Sequence, residues 1–263
     1  MGRIRPRALI TGASSGIGAA FARRLGADGH DLVLVARRRG RLEELARDLG
    51  RRHGVEAVVL PADLTASDDR QRVVAAVRDG APLEVLVHSA GFGSRALFAE
   101  IDPRLPAAMD RLHVETPTEL VRAALPAMLA AGRGRILLVS SLSGFFTTAR
   151  YTTYSATKAY LNMFAEGLQA EIEGSGVRVQ AICPGLTRTE FLDSAEYAEF
   201  KYQQVPAAFW MVAERVVDEA MASRDVVFVP GWHNRLFVRA LRTPMLGDAL
   251  RRGLARANRN GLY

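Results

Sequence analysis

Seven short, near-continuous apolar runs alternate with segments whose apolar residues recur at helical spacing, and no other feature of this 263-residue chain constrains its fold as tightly. The runs lie at 7–11, 31–36, 55–60, 83–88, 135–140, 177–183 and 225–229. Helical spacing fills 19–25, 41–52, 67–78, 110–131, 154–174 and 213–222, with Pro117 and Pro126 placed to disturb the ends of the fourth of these. A strand without polar alternation is buried on both faces, which requires a parallel sheet with helices on either side. The expected architecture is therefore a doubly wound α/β fold with a seven-stranded parallel sheet. It forms one domain over residues 1–231, followed by a basic helical extension, 232–263, packed on or beside it. Ligands of such sheets bind beyond the carboxyl ends of the strands.

Residues suited to a ligand fall at those ends. After the first run comes Gly12-Ala-Ser-Ser-Gly16-Ile-Gly18 and then a helix. Strand, glycine loop and helix together cradle a pyrophosphate with backbone N–H groups and a helix N-terminus. No Lys follows the glycines, so the loop is not of the Walker type. A tight turn needing positive φ would also use glycine, but three glycines between a buried strand and a helix favour the phosphate. After the second run, Ala36 stands where an NAD site places an acid, and Arg37-Arg38-Arg39 follows. An arginine there suits the 2′-phosphate of NADP(H), the competing reading being a solvated loop in an Arg-rich chain. Asp63-Leu64, Ser89-Ala90-Gly91, Ser140-Ser141 and Pro184-Gly185 close four further strands.

Tyr154 and Lys158 stand four residues apart at the start of a helical pattern, hence on one face. A free phenol has a pKa near ~10, and a neighbouring cation lowers it, making the hydroxyl a usable acid or base. Of 35 Lys and Arg residues only Lys158 and Lys201 are lysines. Arginine cannot surrender its proton, so a lysine in a chain that otherwise writes arginine points to chemistry.

Composition narrows the remainder. A single cysteine, Cys183, forbids an internal disulfide and fits a reducing compartment, so a cytoplasmic location is expected. No apolar run reaches membrane-spanning length. The net charge of +7 is concentrated in the tail, where seven Arg face one acid, Asp248. The near-neutral body lacks a basic stripe with stacking aromatics, which argues against a nucleic-acid partner. The tail reads as two basic amphipathic helices broken at Pro244, able to contact an anionic membrane surface, cover the core or meet another subunit.

The glycine loop with Thr11, the Tyr154-x-x-x-Lys158 pair and a serine thirteen positions earlier resemble the short-chain dehydrogenase/reductase superfamily over residues 7–230. His88–Gly93, Cys183–Phe191 and Val229–Gly231 look like its bacterial NADP-dependent carbonyl reductases. The resemblance implies a Rossmann-type oxidoreductase that moves hydride between NADP(H) and a carbonyl or secondary alcohol, as a homo-oligomer. Ser141 would hold the carbonyl oxygen, Tyr154 would be the acid or base, and Lys158 would tune it and bind the nicotinamide ribose. Gly12, Ser14, Ser15, Gly16, Ile17 and Gly18 would contact phosphates and ribose, with Arg37 and Arg38 at the 2′-phosphate. Asp63 and Leu64 would meet the adenine, Ser89, Ala90 and Gly91 the ribose, and Pro184, Gly185 and Thr187 the nicotinamide end.

Two positions depart from the family pattern. His113 stands where a relay Asn is usual, either serving the relay or packing sideways, and a charged imidazole there would oppose the Lys158 ammonium. His88 replaces another Asn and is expected to be structural. No metal site is expected. Phe191, Leu192, Tyr197, Phe200, Tyr202, Phe209, Trp210 and Met211 lie where the family carries its substrate lid, which suits an apolar substrate, or packing on the core or on another subunit. Two alternatives stay open: a silent nucleotide-sensing or scaffolding protein, and a peripheral membrane enzyme on lipid-like substrates.

Overall fold

A computed structural model of the chain describes residues 5–193 and 205–259. The first half runs β1 (Arg7–Thr11), α1 (Gly16–Ala27), β2 (Asp31–Ala36), α2 (Arg39–His53), β3 (Ala57–Pro61), α3 (Ser67–Arg78) and β4 (Val85–His88). Next come α4 (Arg104–Asp110), a π-turn (Arg111–Glu115), α5 (Thr116–Ala130), β5 (Gly134–Val139), α6 (Thr152–Glu171) and β6 (Val177–Ile182). Two-residue strands β7 (Thr187–Arg188) and β8 (Met211–Val212) precede α7 (Ala213–Ala222), β9 (Val227–Phe228), α8 (Trp232–Leu241) and α9 (Leu246–Arg259). Seven strands form one sheet in the order β3-β2-β1-β4-β5-β6-β9, and β7 pairs with β8 apart from it. Every pairing in the large sheet is parallel. The order reverses direction at β1 and β4, and that switch point opens a crevice above their carboxyl ends.

Period-two alternation sends successive strand residues to opposite faces, and both faces are buried. Ala8, Ile10, Leu32, Leu34, Val85 and Val87 pack with Phe21 and Leu25 of α1, Leu42 of α2 and Val216 of α7. Leu9, Val33, Val35, Leu86, Ile136 and Leu138 pack with Val73 of α3, Leu120 of α5 and Leu161 of α6. The architecture is the doubly wound α/β fold expected from the apolar runs. Among the described residues no helix is long and apolar enough to cross a membrane.

Several boundaries differ from the apolar pattern, each for a physical reason. The glycine loop supplies the first turn of α1, which starts at Gly16 rather than at residue 19. The span 110–131 is not one helix. Pro117 has no N–H to extend the ladder, and the Thr116 N–H instead bonds the Arg111 carbonyl, a wider turn that separates α4 from α5. Pro126 sits inside α5, not at its end. The seventh strand keeps only Val227 and Phe228, since it pairs on one side only.

Candidate active site

The glycine loop is shaped by close approach. Gly12 has φ +69°, and a Cβ on it would lie 2.8 Å from the Ala90 nitrogen. A Cβ on Gly18 would lie 2.3 Å from the Gly12 carbonyl oxygen, so the turn and the start of α1 admit no side chain at either place. Thr11 Oγ1 accepts from the Ser89 and Ala90 N–H groups, both at 3.1 Å, and donates to His88 Nδ1 at 3.0 Å. His88 Nε2 bonds the Leu112 carbonyl at 3.0 Å, which ties β4 to β1 and to the π-turn. Burial first, then the Lys158 charge, lower the His88 pKa to about 3, so this histidine is a neutral strut.

The crevice fits a dinucleotide. Its floor is backbone and glycine, Ser15 at the N-cap of α1 makes no side-chain capping bond, and cations stand at the β2 end. Arg38 donates to Ser14 Oγ from Nε (3.1 Å) and Nη2 (2.9 Å), and to Ser15 Oγ from Nη2 (2.7 Å). Its Nη1 donates to Glu190 Oε2 at 2.6 Å, and Arg41 donates to the other oxygen of the same carboxylate. Arg37 is exposed, and its guanidinium has no partner among the described residues. Asp63 is engaged locally, its Oδ1 accepting from the Thr65 N–H (3.0 Å) and hydroxyl (2.8 Å), while Leu64 is buried in the core. Ile17 packs against the opposite core cluster.

On the other side of the crevice, the residue after β5, Ser140, donates from Oγ to the Lys158 carbonyl at 2.9 Å, fixing the start of α6 against the sheet. Ser141 is extended, with its Oγ accepting from the Ser143 N–H at 3.1 Å. Tyr154 and Lys158 are 8% and 5% exposed, one turn apart on α6. Lys158 Nζ donates to the Val139 carbonyl at 2.9 Å and lies 5.7 Å from the Tyr154 ring centroid. Burial raises the phenol pKa to about 12, with the neighbouring Ser141 hydroxyl pulling the other way. Burial likewise lowers Lys158 to about 8. The phenol loses more by desolvation of its anion than it gains from an ammonium turned toward a carbonyl. At neutral pH it is a protonated donor.

His113 projects from the π-turn into this group. Its Nε2 accepts from the Phe92 N–H at 3.3 Å, so Nδ1 carries the proton and donates to Thr157 Oγ1 at 3.0 Å. Thr157 in turn donates to the Tyr154 carbonyl at 2.9 Å. Burial, with the Lys158 charge second, pushes the imidazole well below its ordinary value, so the positive His113 considered from the sequence does not arise. A point over Gly91 where a Cβ would sit is 3.1 Å from His113 Nε2 and 3.7 Å from Lys158 Nζ. Aromatic rings surround the phenol: Phe191 at 5.9 Å, His113 at 6.0 Å and Tyr151 at 6.5 Å between centroids.

The β6 exit closes the crevice. Leu142 N–H donates to the Pro184 carbonyl at 2.9 Å, and a Cβ on Gly185 would meet Asn234 Oδ1 at 2.6 Å. Thr187 turns its hydroxyl to the Gly185 carbonyl (3.0 Å). Thr189, which sequence reasoning passed over, lies against the glycine loop instead, its Cγ2 3.0 Å from the Cβ position of Gly16. Arg41 was also missed, having been read only as the first residue of a helix. Neither carried a signal, because their partners are distant in sequence. Of the apolar lid candidates, Met211 is buried in the core, Phe209 is half exposed, and Trp210 Nε1 donates to the Val205 carbonyl at 3.3 Å. Tyr197, Phe200 and Tyr202 lie outside the described residues.

A seven-stranded doubly wound sheet, a glycine loop at its switch point and a serine, tyrosine and lysine beside it define a dinucleotide-dependent oxidoreductase. The chain belongs to the short chain dehydrogenase family, whose pattern matches residues 6–199. It is 32% identical over 188 residues to a very-long-chain 3-oxoacyl-CoA reductase of Anas platyrhynchos, the match covering 70% of this chain and 60% of that protein. A short-chain dehydrogenase from Sphingobium yanoikuyae, solved in complex with NADPH, superposes with a TM-score of 0.82 at 35% identity, over 95% of this chain and 94% of that one. The bulky-bulky ketone specific alcohol dehydrogenase from Comamonas testosteroni superposes at 0.78 with 32% identity, over 95% and 93% of the two chains.

Proposed function

We propose that this oxidoreductase uses NADP(H) to reduce a bulky, largely apolar carbonyl compound to the alcohol. The observation that carries the reading is the pairing of a buried, protonated Tyr154 with Lys158 one turn away on α6, the Lys158 Nζ lying 5.7 Å from the phenol ring centroid. The nicotinamide, when bound, supplies the hydride. Gly12, Gly16 and Gly18 would let its pyrophosphate reach the backbone, and the β2-end arginines would hold the 2′-phosphate. The Ser141 and Tyr154 hydroxyls are the two donors suited to the oxygen on which charge builds during reduction. Tyr154 then gives up its proton to that oxygen. Lys158 keeps a positive charge one turn away, and the His113–Thr157 chain holds the helix start in register. The NADPH-complexed relative supports the cofactor, and the bulky-ketone relative and the rings around Tyr154 support the substrate class.

A screen of NADPH oxidation against aldehydes, aryl ketones and bulky aliphatic ketones tests the proposal, with Tyr154→Phe as the paired variant. Turnover with bulky ketones is expected, together with a loss of at least roughly 10²-fold in the variant at unchanged NADPH affinity. A variant that retains substantial turnover would remove Tyr154 from the role.

A further inference from the structure

The cationic corner at the β2 end already holds an anion, and that anion comes from the chain itself. Glu190 opens the short 3₁₀ turn after β7, and both its oxygens are taken: Oε2 by Arg38 at 2.6 Å and Oε1 by Arg41. The two arginines hold its carboxyl below the ordinary value, so it is ionised throughout the neutral range. The same Arg38 spans to Ser14 and Ser15 of the glycine loop, so one of the two guanidinium groups that hold the carboxylate also holds two hydroxyls of that loop. The preceding residue, Thr189, rests on Gly16, which brings the segment down on the phosphate-binding loop. Among the described residues, the other acid paired in this corner is Glu43, which faces Arg39 at 3.6 Å. All three partners of the clasp remain partly open to solvent, so water and an incoming anion reach them.

We propose that Glu190 is a cofactor-selectivity residue, an internal stand-in anion that the 2′-phosphate of NADP(H) must displace from Arg38 and Arg41. The inference rests on the NADP(H) reading above. A phosphate monoester carries more charge than a carboxylate and three acceptor oxygens, so it wins the arginines. NAD(H) ends there in a neutral hydroxyl and leaves the clasp closed. Glu190 therefore weakens NADPH binding while leaving NADH binding nearly untouched, and displacing it frees Thr189 from the glycine loop.

Dissociation constants of NADPH and NADH, measured by nicotinamide fluorescence for the wild-type chain and Glu190→Gln, test this. Removing the competing charge from an exposed clasp is expected to tighten NADPH by about three- to tenfold and to move NADH by less than about twofold. Raising the salt concentration should shrink the difference between the two proteins, because the clasp is solvent-screened. A variant that binds NADPH as the wild type does, or more weakly, overturns the inference alone: the carboxylate would then orient the arginines rather than compete for them. A wild-type chain that binds NADH as well as NADPH overturns the NADP(H) reading and the inference together.

Discussion

Lys158 shows how far one residue can be read and where reading stops. Its rarity in an arginine-rich chain marked it, and its place four residues after Tyr154 put both on one helix face. The sign of its effect was not legible, because that depends on burial and on where the ammonium points. Buried and bonded to the Val139 carbonyl, it has its pKa depressed from 10.5 to about 8. The protonated form therefore holds below pH 8 and is lost above it, while Tyr154, raised to about 12, stays protonated across the same range. The expected consequence is a kcat/KM for carbonyl reduction that is level below pH 8 and declines above it as the ammonium deprotonates. A profile that stays level to pH 10 would show that the Lys158 charge does not support the reaction. His113, kept neutral by burial and by the Lys158 charge, adds no step of its own near pH 6–7.

At the scale of elements, the strands and most helices were legible because burial on both faces writes an unbroken apolar run. The π-turn was not. It arises from a shift of one hydrogen bond at Thr116, and hydrophobic periodicity carries no trace of such a shift beyond the hint of Pro117. Yet this turn aims His113 at the space over Gly91. Two glycine substitutions separate site packing from helix propensity. Gly91→Ala places a methyl 3.1 Å from His113 Nε2 and 3.7 Å from Lys158 Nζ, and should lower turnover by roughly tenfold with little change in Tm. Gly167 lies in the exposed interior of α6 with nothing within 4 Å of its Cβ position, so Gly167→Ala should raise Tm by about 1–4 °C. Equal turnover in both variants would mean that the space over Gly91 plays no part in the chemistry.

At the scale of the whole molecule, the alternation of strands and helices that makes a parallel sheet follows from residues close in sequence. The walls of the crevice do not. Phe237 of α8 meets Phe146 edge-on at 5.4 Å, and Arg242 at its C-cap lies 5.4 Å from the Phe145 ring, so α8 braces the loop that carries Ser141. Asn234 fills the space that Gly185 leaves open. The first part of the basic tail therefore packs on the loop after β5 and on Gly185, through contacts between residues 49 to 97 apart in sequence that leave no local pattern. Its outer surface still exposes Trp232 and Leu236. The assembled crevice is where a nicotinamide and a carbonyl would meet, with Tyr154 and Ser141 on the oxygen.

Isotope transfer tests that meeting most directly. With NADPH deuterated at one face of C4 and a bulky ketone as substrate, mass spectrometry of the product alcohol reports where the hydride went. One of the two labelled faces should place a single deuterium on the carbinol carbon, and Tyr154→Phe should form almost none of that product. NADPH consumed with no deuterium in the alcohol from either face would contradict the account.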